Sequence, residues 1–335
     1  MLAARIYRAK DLRVEEVPQP QIQSEDQIRV QVSAAGICGS DLHVYQTGAY
    51  LTRTPVTMGH EFSGRVVEIG KQVRSFQIGD HVVGDSRVWC GSCDYCVEKH
   101  YNFCESLGFL GEVCEGAFSE EIMVPSCNLI KIDAGVPGHI AALAEPLAVA
   151  LHAISQSNVP HDGKILIFGA GPIGALIHEA LRIQGCHDLT VADISGYRRQ
   201  CLQALSTDSR ITDEPHGTFD LVFETTGAIP VLQKLLPKSL RKGGQAILVG
   251  LFAQESLFNF TDIVEQEWTI KGCACFDTEL PKAVDLLEKH GAGFEHVVSH
   301  RLPVSKAQEG FDLLLSPEKA AMKIILEPRD NEHPD

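Results

Sequence analysis

Three side chains that can hold a metal or pass a proton fall within six residues of this 335-residue chain. They are the thiol of Cys38, the hydroxyl of Ser40 and the imidazole of His43, in Gly36-Ile37-Cys38-Gly39-Ser40-Asp41-Leu42-His43. Further on, Gly59-His60-Glu61 adds a second imidazole and a carboxylate. Thiolate, neutral imidazole and carboxylate are donors that zinc takes, and a zinc ion with three protein ligands keeps a position open for water or substrate. The two stretches together read as one metal-centred site. Neither is diagnostic alone, because a single cysteine in a strand is usually a small buried hydrophobe. The company they keep gives them weight.

That company begins with Cys90-Gly91-Ser92-Cys93-Asp94-Tyr95-Cys96, followed by Cys104. Four thiolates in so short a stretch can close tetrahedrally around one Zn²⁺, which ties a loop together and leaves no position for chemistry. A redox Cys-x-x-Cys or four unrelated thiols are the alternatives, and the regular spacing favours structural zinc. Then Phe168-Gly169-Ala170-Gly171-Pro172-Ile173-Gly174 closes an apolar run and opens a helical pattern. Gly169 permits the tight turn, Gly171 the approach of a pyrophosphate and Gly174 close packing of helix on strand. The helix N-terminus offers its free N–H groups to phosphate. Asp193 ends the next strand-like run, where a carboxylate takes ribose hydroxyls and repels a 2′-phosphate. This context predicts NAD rather than NADP, with Arg198 and Arg199 nearby as opposing charge.

The elements that position these groups fall into two patterns. Residues 1 to about 150 read as β-rich: Ile28 to Ala35 and Gly64 to Ile69 alternate apolar and polar residues between Gly- and Pro-containing turns, as in a small, irregular barrel. Ala141 to Ile154 reads as helical turns interrupted by Pro146, then a helix. From Lys164 onward strand and helix alternate. Strands are expected at residues 165–168, 189–192, 219–223, 246–249 and 269–273, and helices at 172–184 and 196–205. That alternation predicts a parallel, doubly wound sheet. A helix at 280–290 and a strand at 323–326 follow and return to the first domain, and Pro328 to Asp335 reads as a disordered tail.

Composition is that of a globular protein, with 44% hydrophobic and 22% charged residues. The formal net charge of −15 argues against nucleic acid or an anionic membrane as partner. The N-terminal residues lack a signal-peptide core, and no run of about 18 apolar residues is evident, so a cytoplasmic protein is expected. Eleven cysteines then read as metal ligands and packed thiols rather than disulfides. Cys114, Cys127, Cys186, Cys201, Cys273 and Cys275 are the expected packed thiols, and His139, His152, His161, His178 and His187 show no ligand spacing. Gln254 to Glu267 reads as a solvated face or a subunit-contact edge.

Taken together, the chain resembles the zinc-dependent medium-chain alcohol dehydrogenases, in the branch of the polyol (sorbitol), butanediol and threonine dehydrogenases. Residues 36–43, Gly59-His60-Glu61-Phe62-Ser63-Gly64, the four-cysteine lobe, Ala144-Glu145-Pro146-Leu147-Ala148, the glycine motif and Val298-Ser299-His300-Arg301-Leu302-Pro303 carry the likeness across nearly the whole length. It implies an α/β architecture: a GroES-like β-rich catalytic domain, residues 1–153 with 275–335 returning to it, and a Rossmann NAD-binding domain over 154–274, with the active site in the cleft between. It implies Cys38, His60 and Glu61 as ligands of a catalytic zinc, and Cys90, Cys93, Cys96 and Cys104 as ligands of a structural one. Glu145 stands where other branches place a ligating cysteine, and here it is expected beside the metal. Ser40 is expected to touch the alcohol oxygen, with the proton passing through the cofactor ribose to His43. The cofactor-binding set is Gly169, Gly171, Pro172, Ile173, Gly174, Asp193, Arg198, Val249, Gly250, Leu251, Cys273 and Ala274.

Two departures bear on the pocket. The chain between Asp193 and Phe219 is short, so one edge of the Rossmann sheet is expected to be trimmed. Cys275-Phe276 stands where sorbitol dehydrogenases carry an arginine–tyrosine pair, which counts against sorbitol, and Phe109 and Phe276 are expected to make the pocket partly apolar. The expected activity is reversible hydride transfer between NAD and a small secondary alcohol, polyol or sugar-derived substrate, by a dimer or tetramer. The alternatives are an NADPH-dependent ketone reductase of the same fold and a catalytically silent dinucleotide-binding protein.

Overall fold

A computed structural model describes residues 1–159, 162–204, 209–316 and 320–328. It divides into two units, one formed by Met1–Glu145 with Leu280–Asp335 and the other by Pro146–Glu279.

The first unit is built on the strand Gln27–Gly36. Its alternation puts Ile28, Val30 and Val32 into the core, and its last residues, Ala34 to Gly36, are buried without interruption. One edge pairs antiparallel with Glu61–Ile69, in a register that sets Gly36 opposite Glu61. The other edge pairs with Glu121–Pro125 along residues 27–31 and with Lys323–Glu327 at Ala35 and Gly36. The sheet continues through His81–Gly84 to Leu129–Lys131 on one side and to Val298–Pro303 on the other. A three-stranded sheet, Asp11–Glu16, Leu2–Arg8 and Val56–Thr57, lies apart from it. Phe62, Phe118 and Phe311 are fully buried among the packed side chains, each contributing roughly 2–3 kcal/mol.

The second unit carries a six-stranded parallel sheet. Its order is Arg210–Thr212, Leu189–Ala192, Ile165–Phe168, Phe219–Glu224, Leu240–Leu248, Thr269–Gly272, so the chain runs outward from Ile165–Phe168 to one edge and then to the other. This is the Rossmann order, whose reversal point lies beside the first strand. The trimmed edge expected from the short 193–219 segment is present as a three-residue strand, Arg210–Thr212. Leu166, Phe168, Phe219, Val222, Leu236 and Trp268 form the core on this sheet.

Some local expectations need correction. Residues 138–155 do form an 18-residue window apolar enough to cross a membrane, with mean hydropathy 1.3, but 83% of it is buried inside the protein as core. It consists of helices Gly138–Ala141 and Ala144–Ser155, with Pro146 tolerated in the first turn of the second, where its missing N–H costs nothing. Cys127 is exposed rather than packed, and Cys114, Cys186, Cys201, Cys273 and Cys275 are half-buried. His161, the end of the helix expected at 196–205 and the tail beyond Pro328 lie outside the described residues.

Candidate active site

Cys38 lies two residues beyond Gly36, and His60 immediately precedes Glu61. The Gly36–Glu61 register therefore brings thiol, imidazole and carboxylate together from two strand ends. Their ligand atoms all lie within 4.8 Å of one another. A Cβ on Gly36 would stand 2.1 Å from Glu61 Oε2, so a larger residue here would displace that carboxylate. Cys38 also caps the helix Gly39–Thr47. Its backbone N–H donates to Asp41 Oδ2 at 2.9 Å, a capping box that fixes the angle at which the helix leaves the site.

The donor set fits zinc. Asp41 is 3% exposed, and its Oδ1 stands 3.6 Å from His60 Nδ1, which leaves Nε2 directed toward the cluster. A carboxylate behind a ligating imidazole fixes the ring and raises its basicity. Ser40 Oγ lies 3.4 Å from His60 Nε2, so the expected substrate-contacting hydroxyl is at the cluster. His43 follows one turn later on the same helix face, with its ring 5.8 Å from that of Tyr50. Glu145 is buried and accepts a 2.7 Å hydrogen bond from the buried Ser86 hydroxyl, and burial holds its carboxyl above the ordinary range.

Three residues of this site escaped the sequence reading. Asp41 sat in the quoted motif without a role, and its three-residue offset from Cys38 was the available signal. Ser86 had none. Lys323 is a buried lysine that opens the strand Lys323–Glu327 ahead of three apolar residues, an anomaly that could have marked it. It is 2% exposed, and its ammonium donates to Glu61 Oε1 at 2.8 Å, to Glu61 Oε2 at 2.7 Å and to the Ile37 carbonyl at 3.1 Å. Burial works against this charge, but the Glu61 carboxylate outweighs it and raises the lysine above its usual value.

The second cluster is closed. Cys90, Cys93, Cys96 and Cys104 present sulfurs within 4.8 Å of one another, and Cys90 Sγ and Cys96 Sγ are 3.9 Å apart. A tetrahedron of Zn–S bonds near 2.3 Å has edges of about 3.8 Å. Convergence of four sulfurs, rather than two, disfavours a simple redox pair. Backbone N–H groups of Ser92 and Cys93 stabilise the Cys90 thiolate and pull it to about 6.

In the second unit the expected cofactor residues stand around the carboxyl edge of the sheet. Gly169 has φ of 102°, a conformation other residues adopt only with strain, and a Cβ on Gly174 would meet the Gly169 carbonyl at 1.9 Å. Gly171 caps the helix Pro172–Ile183, with Pro172 and Ile173 in its first turn, and only Arg198 Nη1 approaches within 4 Å of where its Cβ would be. That open cradle at a helix N-terminus fits a pyrophosphate. Asp193 accepts the Ala170 N–H on Oδ2 and the Ser195 N–H on Oδ1, each at 2.7 Å. Its carboxylate thus holds the glycine turn while lone pairs on both oxygens remain free to accept further hydrogen bonds. Val249 and Gly250 donate to the Glu224 carbonyl, and Leu251 stands 73% exposed beside them. Cys273 donates to the Leu248 carbonyl, and Ala274 follows it at the next strand end. Phe109 is partly exposed with its ring 6.2 Å from that of His60, whereas Phe276 is fully buried.

Comparison with known proteins shows the family. A family model for the alcohol dehydrogenase GroES-like domain matches residues 24–134, and one for zinc-binding dehydrogenases matches residues 172–289. The chain is 33% identical to the (R,R)-butanediol dehydrogenase of Bacillus subtilis (strain 168) over 98% of its own length and 100% of the relative's. It is also 33% identical to a sorbitol dehydrogenase of Halalkalibacterium halodurans, over 95% and 96% of the two chains. The crystal structure of 2R,3R-butanediol dehydrogenase from Bacillus subtilis superposes with a TM-score of 0.87 at 31% identity, covering 98% of this chain and 99% of that one. The chain is a member of the zinc-dependent medium-chain alcohol dehydrogenase family, an oxidoreductase that moves hydride between an alcohol and a nicotinamide dinucleotide.

Proposed function

We propose that this dehydrogenase acts on a small, uncharged secondary alcohol or polyol with NAD, and that Cys38, His60 and Glu61 hold its catalytic zinc. The observation that carries the reading is the convergence of these three ligand atoms within 4.8 Å. Zinc there would supply a Lewis acid that eases deprotonation of an alcohol, and NAD would supply the hydride acceptor. The residues do the rest. Ser40, at the cluster, orients the substrate hydroxyl and accepts its proton, and His43, one turn on, passes the proton toward solvent. Asp41 fixes the His60 ring, Lys323 steadies Glu61, and Ser86 aims Glu145 at the same space without making it a ligand.

NAD is favoured because the Asp193 carboxylate closes the second Rossmann strand, where a 2′-phosphate would meet like charge. One observation favours the NADPH reading instead: Arg198 reaches over Gly171, and Arg199 donates to the Asp193 carbonyl, so two guanidinium groups flank the same place. A homo-oligomer, dimer or tetramer, in the cytoplasm completes the reading. Among the described residues the edge strand Thr269–Gly272 has one unpaired side, and Leu257, Phe260 and Val264 stand exposed close by in sequence.

The test is a panel of alcohols, diols and polyols assayed with NAD and with NADP, alongside Cys38→Ala. The variant should lose turnover by a thousandfold or more, on the order expected for losing the Lewis acid, while binding NAD as before. Full activity in that variant would overturn the zinc assignment. Asp193→Ala should weaken NAD about tenfold and leave NADP nearly unchanged, and the reverse outcome would favour the NADPH reading.

A further inference from the structure

Glu224 carries a carboxyl to which the readings above give no task. It ends the strand Phe219–Glu224 in the second unit and is fully buried. The parallel register sets it beside Phe168, the residue that leads into the glycine turn. These two strands flank the point at which the sheet order reverses. Open parallel sheets bind their ligands in the crevice at the carboxyl ends of the strands that flank such a point.

A single turn supplies the donors to this carboxylate. Oε1 accepts the Thr226 N–H at 2.8 Å, the Gly227 N–H at 3.1 Å and the Thr226 hydroxyl, and Oε2 shares the Gly227 N–H at 3.1 Å. Thr226 Oγ1 itself accepts the Ala228 N–H at 3.0 Å, which directs its own proton to Glu224. All of these contacts are donors, as an acceptor-only carboxylate requires. Hydrogen bonds to a charged acceptor are roughly twice as strong as neutral ones, so the turn is held firmly.

The turn is wedged between two neighbouring strand ends. On one side the Thr225 N–H and hydroxyl both donate to the Phe168 carbonyl, at 3.0 and 2.8 Å, and a Cβ on Gly169 would stand 2.6 Å from Thr225 Oγ1. On the other side the Val249 and Gly250 N–H groups donate to the Glu224 carbonyl at 2.8 and 3.0 Å. A Cβ on Gly250 would stand 2.1 Å from the Gly227 nitrogen and 2.7 Å from Glu224 Oε2. One buried carboxylate thus sets how three strand ends meet.

We propose that Glu224 is a positioning residue for the nicotinamide half of the cofactor. The inference rests on the dinucleotide reading above and goes beyond it by assigning the group that shapes one half of the site. A doubly wound sheet of this order is built from two mononucleotide-binding halves. The glycine turn and Asp193 belong to the first, and the strand that ends at Glu224 opens the second. Glu224 acts through Thr226, Gly227 and Gly250, while Asp193 and residues 169–174 serve the adenosine half. Glu224→Gln keeps the volume but replaces one accepting oxygen with an amide donor, so a donor faces a donor and the turn shifts.

Direct binding by titration calorimetry separates the halves. AMP probes the adenosine half, and NADH (or NADPH, whichever the wild type holds more tightly) probes the whole site. In Glu224→Gln the dinucleotide Kd should rise about tenfold or more, as for loss of a charged hydrogen bond, while the AMP Kd stays within about twofold. Thr226→Val removes only the neutral hydroxyl donor and should raise the dinucleotide Kd about threefold, again sparing AMP; it carries the test if Glu224→Gln does not fold. A dinucleotide Kd unchanged in both variants would overturn the assignment. Equal losses for AMP and dinucleotide would also overturn it, because they would show a carboxylate that only holds the sheet together. A wild type that binds neither dinucleotide would overturn the dinucleotide reading, and this assignment with it.

Discussion

The Lys323 ammonium lies 2.7 Å from Glu61 Oε2 and 2.8 Å from Oε1, and both side chains are almost fully buried. The carboxylate proposed to sit beside the catalytic zinc therefore has a fixed cation behind it, reached across 262 residues of chain. Lys323→Met leaves that carboxylate unpaired, and loss of one partner of a buried pair typically costs about 3–5 kcal/mol. The metal-free variant should melt well below the metal-free wild type, and added zinc should recover more Tm in the variant, because the cation it supplies replaces the missing ammonium. Thermal melts with and without zinc check this. Equal zinc-induced shifts in the two proteins would count against it.

Asp41 Oδ1 stands 3.6 Å behind the Nδ1 of His60, the imidazole proposed to ligate zinc. Asp41→Asn keeps the shape and removes the charge, so zinc should bind about 10–100-fold more weakly at this site, with the fold retained. Competition with a chelating dye reads the affinity. An unchanged affinity would mean that Asp41 serves only to cap the helix.

The four-cysteine lobe should account for one of two zinc ions per chain. Cys93→Ser is expected to reduce the metal content to about one and to loosen the loop from Cys90 to Cys104, because a structural site of this type contributes folding energy directly. Elemental analysis of purified protein gives the count, and protease nicking within the loop reports the loosening.

In the second unit, Glu279 accepts from His152 at 3.1 Å, from Ser155 at 3.1 Å and from the N–H groups of Asp277 and Thr278. Burial opposes its charge, but these donors outweigh burial and lower the carboxyl from 4.5 to about 2. A carboxylate lowered in the folded state contributes its stability above pH 4.5, and that contribution is lost as the pH falls toward 2. Its size is roughly 2–3 kcal/mol. Glu279→Gln should therefore lower Tm at pH 7 and flatten the decline in Tm between pH 5 and pH 3. A variant whose acid decline matched the wild type would show that other carboxylates govern it.

Much of the site was legible because its parts are local. The four cysteines lie close enough in sequence to meet around any reasonable loop, and the 169–174 glycines declare a strand-to-helix turn that other side chains would obstruct. The strands at 165–168 and 189–192 and the helix at 280–290 fell where the apolar pattern placed them. The apolar window at 138–155 was read less well. Its burial is a property of what packs around it, and hydropathy alone cannot separate a core helix from a spanning one.

The chain's own order of residues thus determined which chemistry is possible: a thiol at the head of a helix, an imidazole beside a carboxylate, a phosphate cradle and a cluster of four cysteines. Tertiary structure decided how those groups are tuned. The register of Gly36 against Glu61 gathers the proposed zinc donors, and the strand from the far end of the chain delivers Lys323. Motif residues are neighbours in sequence and leave a local pattern. The charges that steady them are neighbours only in space, and for them no spacing rule exists.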